Sequence, residues 1–138
     1  AAGTTTSYTL TMPGAVATAN DQILTSTTAG VLSWVDNSGG TDWQAVEAGA
    51  TMTAVAGEGY FINTTSNACT ATLPAGSIGD ECTFVDYAGT FDTNALTVGR
   101  NGSDKINGAA ADLTVSVERA AFTLVFTDST QGWLLKDK

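Results

Sequence analysis

Four carboxylates are the best candidates for catalysis in this chain: Asp80, Glu81, Asp86 and Asp92. A glycoside hydrolase would need two of them on opposite sides of a sugar bond, about 5 to 9 Å apart. The chain contains no His, so it can build neither a Ser-His-Asp triad nor the commonest kind of transition-metal site. We predict that the chain is not an enzyme, with no catalytic residue and no bound cofactor.

Two segments rich in Asp and Asn could supply oxygen ligands to a calcium ion. They are "DYAGTFDTN", residues 86–94, and "NGSDKING", residues 101–108. Neither has the spacing of an established calcium-binding loop, and Asn, Asp and Gly are the residues that tight turns require. We interpret both segments as turns and predict no metal site.

The two cysteines, Cys69 and Cys82, flank a Pro-Ala-Gly turn and could face each other across a hairpin. A disulfide between them would stabilise the fold by about 3 kcal/mol in the chain-entropy model. The alternative is a pair of small buried thiols. The sequence leaves both possibilities open.

Charge and length restrict the partners of the chain. Its 138 residues carry a net charge of −9, with only five Lys and Arg side chains. Nucleic acids and anionic membranes are both recognised through basic patches, so we predict neither as a partner. No stretch of the sequence is apolar enough to predict a membrane-spanning helix.

Short β-strands must position the residues considered so far, because helical periodicity is nearly absent from the sequence. Runs rich in Thr, Val, Phe, Tyr and Ile alternate with turn residues at intervals of about 8 to 12 residues, which is the rhythm of a β-sandwich or barrel. We predict an all-β fold, an antiparallel β-sandwich or jelly-roll-like domain with a short N-terminal β extension.

The sequence divides into three parts. Residues 1–36 form the N-terminal β extension, residues 37–44 a polar, Gly-rich linker, and residues 45–138 the sandwich domain. The extension holds few large side chains and is too thin to fold alone. We therefore expect it to bury its strands against neighbouring subunits, as repeat and fibre architectures do.

The three tryptophans divide into two groups. Trp34 and Trp133 lie within apolar alternation, "VLSWV" and "GWLL", and we predict that both are core plugs. Trp43 lies in the polar stretch "GGTDWQ", where we expect it to be exposed or to contact another subunit. Together with Tyr8 and Tyr87, it is a candidate contact to a partner protein or a glycan.

Several segments resemble virion proteins of tailed bacteriophages. The stretch "SYTLTMPGAVATANDQILTSTTAGVLSWVD", residues 7–36, resembles a segment that recurs in tail fibres and other virion proteins. The segments "FVDYAGTFDTNALTVGRNG" and "FTLVFTDSTQGWLL" resemble a β-domain found towards the C-terminus of such proteins, notably in phages of cyanobacteria and marine bacteria. The resemblance implies a homotrimer packed around a three-fold axis, which suits a chain so rich in small side chains.

The resemblance also bears on catalysis, because many phage tailspikes cleave polysaccharides. Those enzymes usually rest on long β-helices, for which 138 residues leave no room. We therefore interpret the chain as a structural protein on the outer surface of the virion.

We expect the specific role to be that of a trimeric capsid decoration (cement) protein that binds the major capsid protein or other virion proteins. The size of the chain and the lack of a long fibre shaft favour this interpretation. The alternative is the distal domain of a tail fibre, which recognises a host surface glycan or protein. The missing initiating Met fits a processed chain or a fragment of such a fibre.

Overall fold

The structure, a computed structural model, describes residues 12–14, 16–17, 22–27, 29–36 and 40–136. They belong to two compact units, residues 1–39 and residues 40–138. Tyr8 and most of the predicted strand "SYTLTM" lie outside the described residues. Within the described residues no helix is long and apolar enough to cross a membrane.

The first unit contains an antiparallel hairpin of two strands, β1 (Gln22–Ser26) and β2 (Leu32–Asp36). Trp34 of β2 lies opposite Leu24 of β1 and is only partly buried. That Trp34 is a core plug stays a prediction.

The second unit is built from nine strands in residues 40–136. They are β3 (Asp42–Trp43), β4 (Thr51–Thr53), β5 (Glu58–Ile62), β6 (Cys69–Thr72), β7 (Glu81–Asp86), β8 (Leu96–Gly99), β9 (Leu113–Val115), β10 (Ala121–Phe126) and β11 (Trp133–Leu135). One sheet has the strand order β11-β10-β7-β5-β3, and the other has the order β4-β6-β8-β9. The predicted all-β class is confirmed.

Strand pairing differs from the purely antiparallel expectation. From β3 to β8 the chain alternates between the two sheets, so neighbouring strands within each sheet run parallel. Pairing becomes antiparallel only where β9, β10 and β11 complete the sheets. The sequence pattern hides this difference, because a strand with one buried face shows the same alternation whichever way its neighbour runs. Parallel neighbours need a crossover connection, and here a strand of the opposite sheet forms part of it.

The predicted linker, residues 37–44, is also corrected, because its second half belongs to the five-stranded sheet. Asp42 and Trp43 form β3 and pair in parallel with Glu58 and Gly59 of β5. The Asp42 amide donates a 2.9 Å hydrogen bond to the carbonyl of Gly57. The polar, Gly-rich composition of this segment concealed a two-residue edge strand.

One apolar core lies between the two sheets of the second unit. Burial alternates strictly along β7 and along β10, so one face of each strand is directed into this core. The buried apolar residues are Ala54, Tyr60, Ile62, Cys69, Ala71, Leu73, Cys82, Phe84, Phe91, Leu96, Val98, Ile106, Phe122, Leu124, Phe126 and Trp133. Trp133 is the one tryptophan among these buried residues, and the core draws mainly on Phe, Leu and Ile.

The turn between β10 and β11 shows why the sequence "TDSTQGW" contains an Asp and a Gly at these positions. The Asp128 carboxylate accepts hydrogen bonds from the amides of Thr130 and Gln131, at 2.8 and 2.9 Å. Gly132 follows with a φ of +72°, and a Cβ atom placed on it would lie 2.0 Å from the carbonyl oxygen of Lys105. Glycine is thus required here both by the backbone angle and by the approach of a neighbouring chain segment.

Candidate interaction surfaces

Asp86 has a structural role in positioning two loops. It is 3% exposed, and its two carboxylate oxygens accept hydrogen bonds from four backbone amides: Gly89 (2.9 Å), Thr90 (3.1 Å), Phe91 (3.2 Å) and Arg119 (3.0 Å). Burial alone raises the pKa of Asp86, but these donors outweigh it and hold the pKa below its usual value. A carboxylate committed to four donors is unsuited to proton transfer.

The other candidate carboxylates also have local partners. The Asp80 carboxylate accepts a 2.8 Å hydrogen bond from the Ser77 amide, and Glu81 forms a 2.8 Å ion pair with Lys136. Asp92 is exposed beside Thr93. Among the described residues, no group of three acidic or Cys side chains could hold a metal ion.

The two cysteines are free, buried thiols in different sheets. Cys69 begins β6, where the neighbouring Thr70 amide donates to the carbonyl of Ala50. Cys82 in β7 contacts the carbonyl of Val55, with an Sγ–O distance of 3.5 Å. Ala50 and Val55 flank opposite ends of β4. The two thiols therefore lie near opposite ends of that strand.

We expect both thiols to be unreactive in the folded protein. Burial raises the pKa of each thiol, and that of Cys82 rises to about 12, with the carboxylates of Asp80 and Glu58 adding to the effect. Because the thiolate is the reactive form, a disulfide-exchange reagent such as DTNB at pH 8 should label neither native thiol quickly. Unfolding in guanidinium without reductant should release two thiols per chain. Detection of no thiol after unfolding would instead demonstrate a disulfide.

An aromatic surface lies on the outer face of the five-stranded sheet. Trp43 is 47% exposed, and its ring stacks on Phe61 with a centroid distance of 4.7 Å and an interplanar angle of 22°. The indole also lies against Gly59: a Cβ atom there would be 2.7 Å from Cε3 of Trp43. The missing side chain of Gly59 therefore lets the indole approach the backbone of β5 closely.

Tyr87 is the second exposed aromatic predicted from the sequence, and it is separate from the Trp43 ring contact. It follows the end of β7, is 52% exposed, and its amide donates a 3.0 Å hydrogen bond to the carbonyl of Ile62. The Arg119 guanidinium donates to the carbonyl of Tyr87 at 3.3 Å. The structure thus leaves the rings of both Trp43 and Tyr87 accessible, and it pairs Trp43 with Phe61, which sequence reasoning did not single out.

A second surface is an apolar cleft of about 530 Å³ beside β9 and β10. Leu113 and Val115 of β9 contribute to its lining, together with Phe122 of β10 and Leu135 of β11. Because β9 and β11 end their sheets, the cleft lies where the sandwich is open at one side. Sequence patterns did not reveal it, since the period of each strand is the same whether its apolar face meets another sheet or a gap.

Comparison with known proteins identifies the family. Residues 17–134 match the family described as bacteriophage T4 gp9/10-like protein, N-terminal. The baseplate wedge protein gp10 of Enterobacteria phage T4 is 30% identical over 101 residues, which make up 70% of this chain and 17% of that protein. The resemblance to tailed-phage virion proteins is thereby confirmed, although the matched family is defined by an N-terminal domain. The chain belongs to the bacteriophage T4 gp9/10-like family and is a structural protein of the tailed-phage virion.

Proposed function

We propose that the chain is a non-enzymatic component of the phage tail end, where it holds neighbouring virion proteins together on the outside of the particle. The observation that carries this proposal is the family match over residues 17–134, together with the relative named as a baseplate wedge protein. The sequence alone favours a capsid decoration protein, with a tail fibre domain as the alternative. The baseplate relative favours the tail.

The first unit offers one surface for assembly. In the hairpin, Ile23 lies opposite Val35 and Leu24 lies opposite Trp34, so the two pairs occupy opposite faces of the ribbon. Ile23, Leu24 and Val35 are all exposed. A two-stranded ribbon cannot bury both of its own faces, and exposed apolar surface of this kind is typical of interaction sites.

We expect the isolated chain to form a homotrimer through such surfaces. Size-exclusion chromatography with light scattering should give a mass of three times the 14.0 kDa chain. Replacing Ile23 with Asp should weaken the trimer, because trimer formation would then bury a carboxylate at an apolar contact between subunits. Val55→Asp, at an equally exposed position of the second unit, is the control. A clean monomer at micromolar concentration would overturn the trimer.

Copy number separates a tail role from capsid decoration. Quantitative mass spectrometry of purified virions should find far fewer copies of this chain than of the major capsid protein. A decoration protein would instead approach the copy number of the shell. A ratio near that of the shell would therefore refute the tail assignment.

A further inference from the structure

A small pocket adjoins the exposed indole of Trp43. Its volume is about 280 Å³, and its lining includes Thr41, Thr83, Glu81 and Lys136. A Cβ atom on Gly59 would lie 2.5 Å from the Thr41 methyl group and 2.7 Å from the Trp43 ring. Thr41, which lines the pocket, therefore lies next to the Trp43 ring at the same point of the sheet, and the indole borders the pocket without contributing to its lining.

Two glycines contribute to the lining of this pocket. Gly40 and Gly57 both contribute to its lining, and a Cβ atom on either would meet nothing within 4 Å. The Gly57 amide donates a 2.7 Å hydrogen bond to the carbonyl of Glu81, which fixes the backbone at this point. At about 280 Å³, the space lies just below the usual range for ligand pockets, roughly 300 to 1,000 Å³, and suits a single sugar unit.

We propose that Trp43 and this pocket form a binding site for a neutral saccharide. The face of an indole ring carries partial negative charge and attracts the polarised C–H groups on the apolar face of a sugar ring. The hydroxyl of Thr83 and the ion pair of Glu81 with Lys136 supply donors and acceptors beside it. Sugar hydroxyls both donate and accept hydrogen bonds, so they match such a mixed set.

The charges of the pocket favour a neutral ligand. Glu58 and Glu81 would repel an anionic group, and the chain as a whole carries a net charge of −9. A cationic side chain would have to compete with Lys136, which already lies 2.8 Å from the Glu81 carboxylate. A neutral polyol avoids both conflicts. This inference goes beyond the assembly role proposed above and does not depend on it.

Saturation-transfer NMR of the full chain would test the site, with methyl glucoside, methyl galactoside and N-acetylglucosamine as probes. At least one sugar should bind, and Trp43→Ala should weaken that binding by about two- to tenfold, the effect expected for one lost ring contact. Trp43→Phe should retain most of it. Tyr87→Ala is the matched control, since Tyr87 is a similarly exposed aromatic that lies outside both the pocket lining and the Trp43–Phe61 ring stack.

A second variant distinguishes the loss of a binding contact from a loss of structure caused by Trp43→Ala. Gly40→Val adds a side chain at the lining of the pocket and should weaken binding, while the unfolding midpoint in urea should stay unchanged because a Cβ atom there meets nothing within 4 Å. Binding that survives both Trp43→Ala and Gly40→Val would overturn the proposal, as would the absence of binding to all three sugars. Trp43-dependent binding of a Lys-rich peptide, with no sugar bound, would assign the surface to a peptide partner instead.

Discussion

Replacement of Trp133 by Ala is expected to lower the free energy of unfolding by about 3 to 5 kcal/mol, the cost typical of a large ring removed from a core. Trp133 is fully buried and meets Phe126 edge to face with a centroid distance of 5.5 Å. Its amide donates to the carbonyl of Lys105 at 2.9 Å, and its own carbonyl accepts from Asn107 at 2.8 Å. The backbone is held on both sides, so the surrounding chain has little freedom to collapse into the space left by the ring.

Urea unfolding of the wild type, Trp133→Ala and Trp133→Phe would measure this loss. The Phe variant should cost less than the Ala variant, because it fills part of the space and removes an indole N–H that has no hydrogen-bond acceptor among the described residues. A Trp133→Ala protein as stable as the wild type would contradict the core role. If that protein also failed to assemble or adhere, Trp133 would be a binding residue.

Replacement of Asp86 by Ala should destabilise the fold by about 3 kcal/mol or more. The substitution leaves buried amide donors without an acceptor, and each such donor costs roughly 1 to 3 kcal/mol. The carboxylate joins the turn at Gly89–Phe91 to the Arg119 backbone. Arg119 has a φ of +58°, an angle that a non-glycine residue adopts only when its surroundings hold it there. Loss of the carboxylate should therefore loosen two separate loops at once.

Asp86 should also make the stability of the fold depend on pH. The pKa of Asp86 is lower in the folded state than in the unfolded chain. Its contribution is therefore fully present above the unfolded value of about 3.9, and it is lost as the pH falls through the lower folded value. The stability difference between the wild type and Asp86→Asn should shrink over that acidic range. Asp92→Asn, at an exposed carboxylate nearby, is the control. A difference that stays constant down to the lowest pH would refute this account of Asp86.

Local patterns predicted the strands but not their partners. The alternation in "ECTFVD" and "AFTLVF" marks β7 and β10, because each strand has one buried face. The parallel order of β3 to β8 could not be predicted, since it depends on which sheet each strand joins.

The candidate sites were less predictable than the fold. Exposure of Trp43 could be inferred from its polar neighbours, and the structure shows that the ring is indeed accessible. The role of Gly59 could not be inferred, because it arises only when β3 and β5 lie side by side and the indole crosses between them. Asp86 offered the right atoms for catalysis, and only the four converging amides reveal its structural use.

Electron microscopy of virions decorated with gold-labelled antibody against this chain tests the central claim most directly. A structural component of the baseplate region should be labelled at the end of the tail away from the head, in every particle, with the shell unlabelled. Antibody preincubated with the purified chain is the control for specificity. Labelling spread over the capsid shell would contradict the tail assignment, and the absence of label from intact and disrupted particles alike would contradict a structural role in the virion.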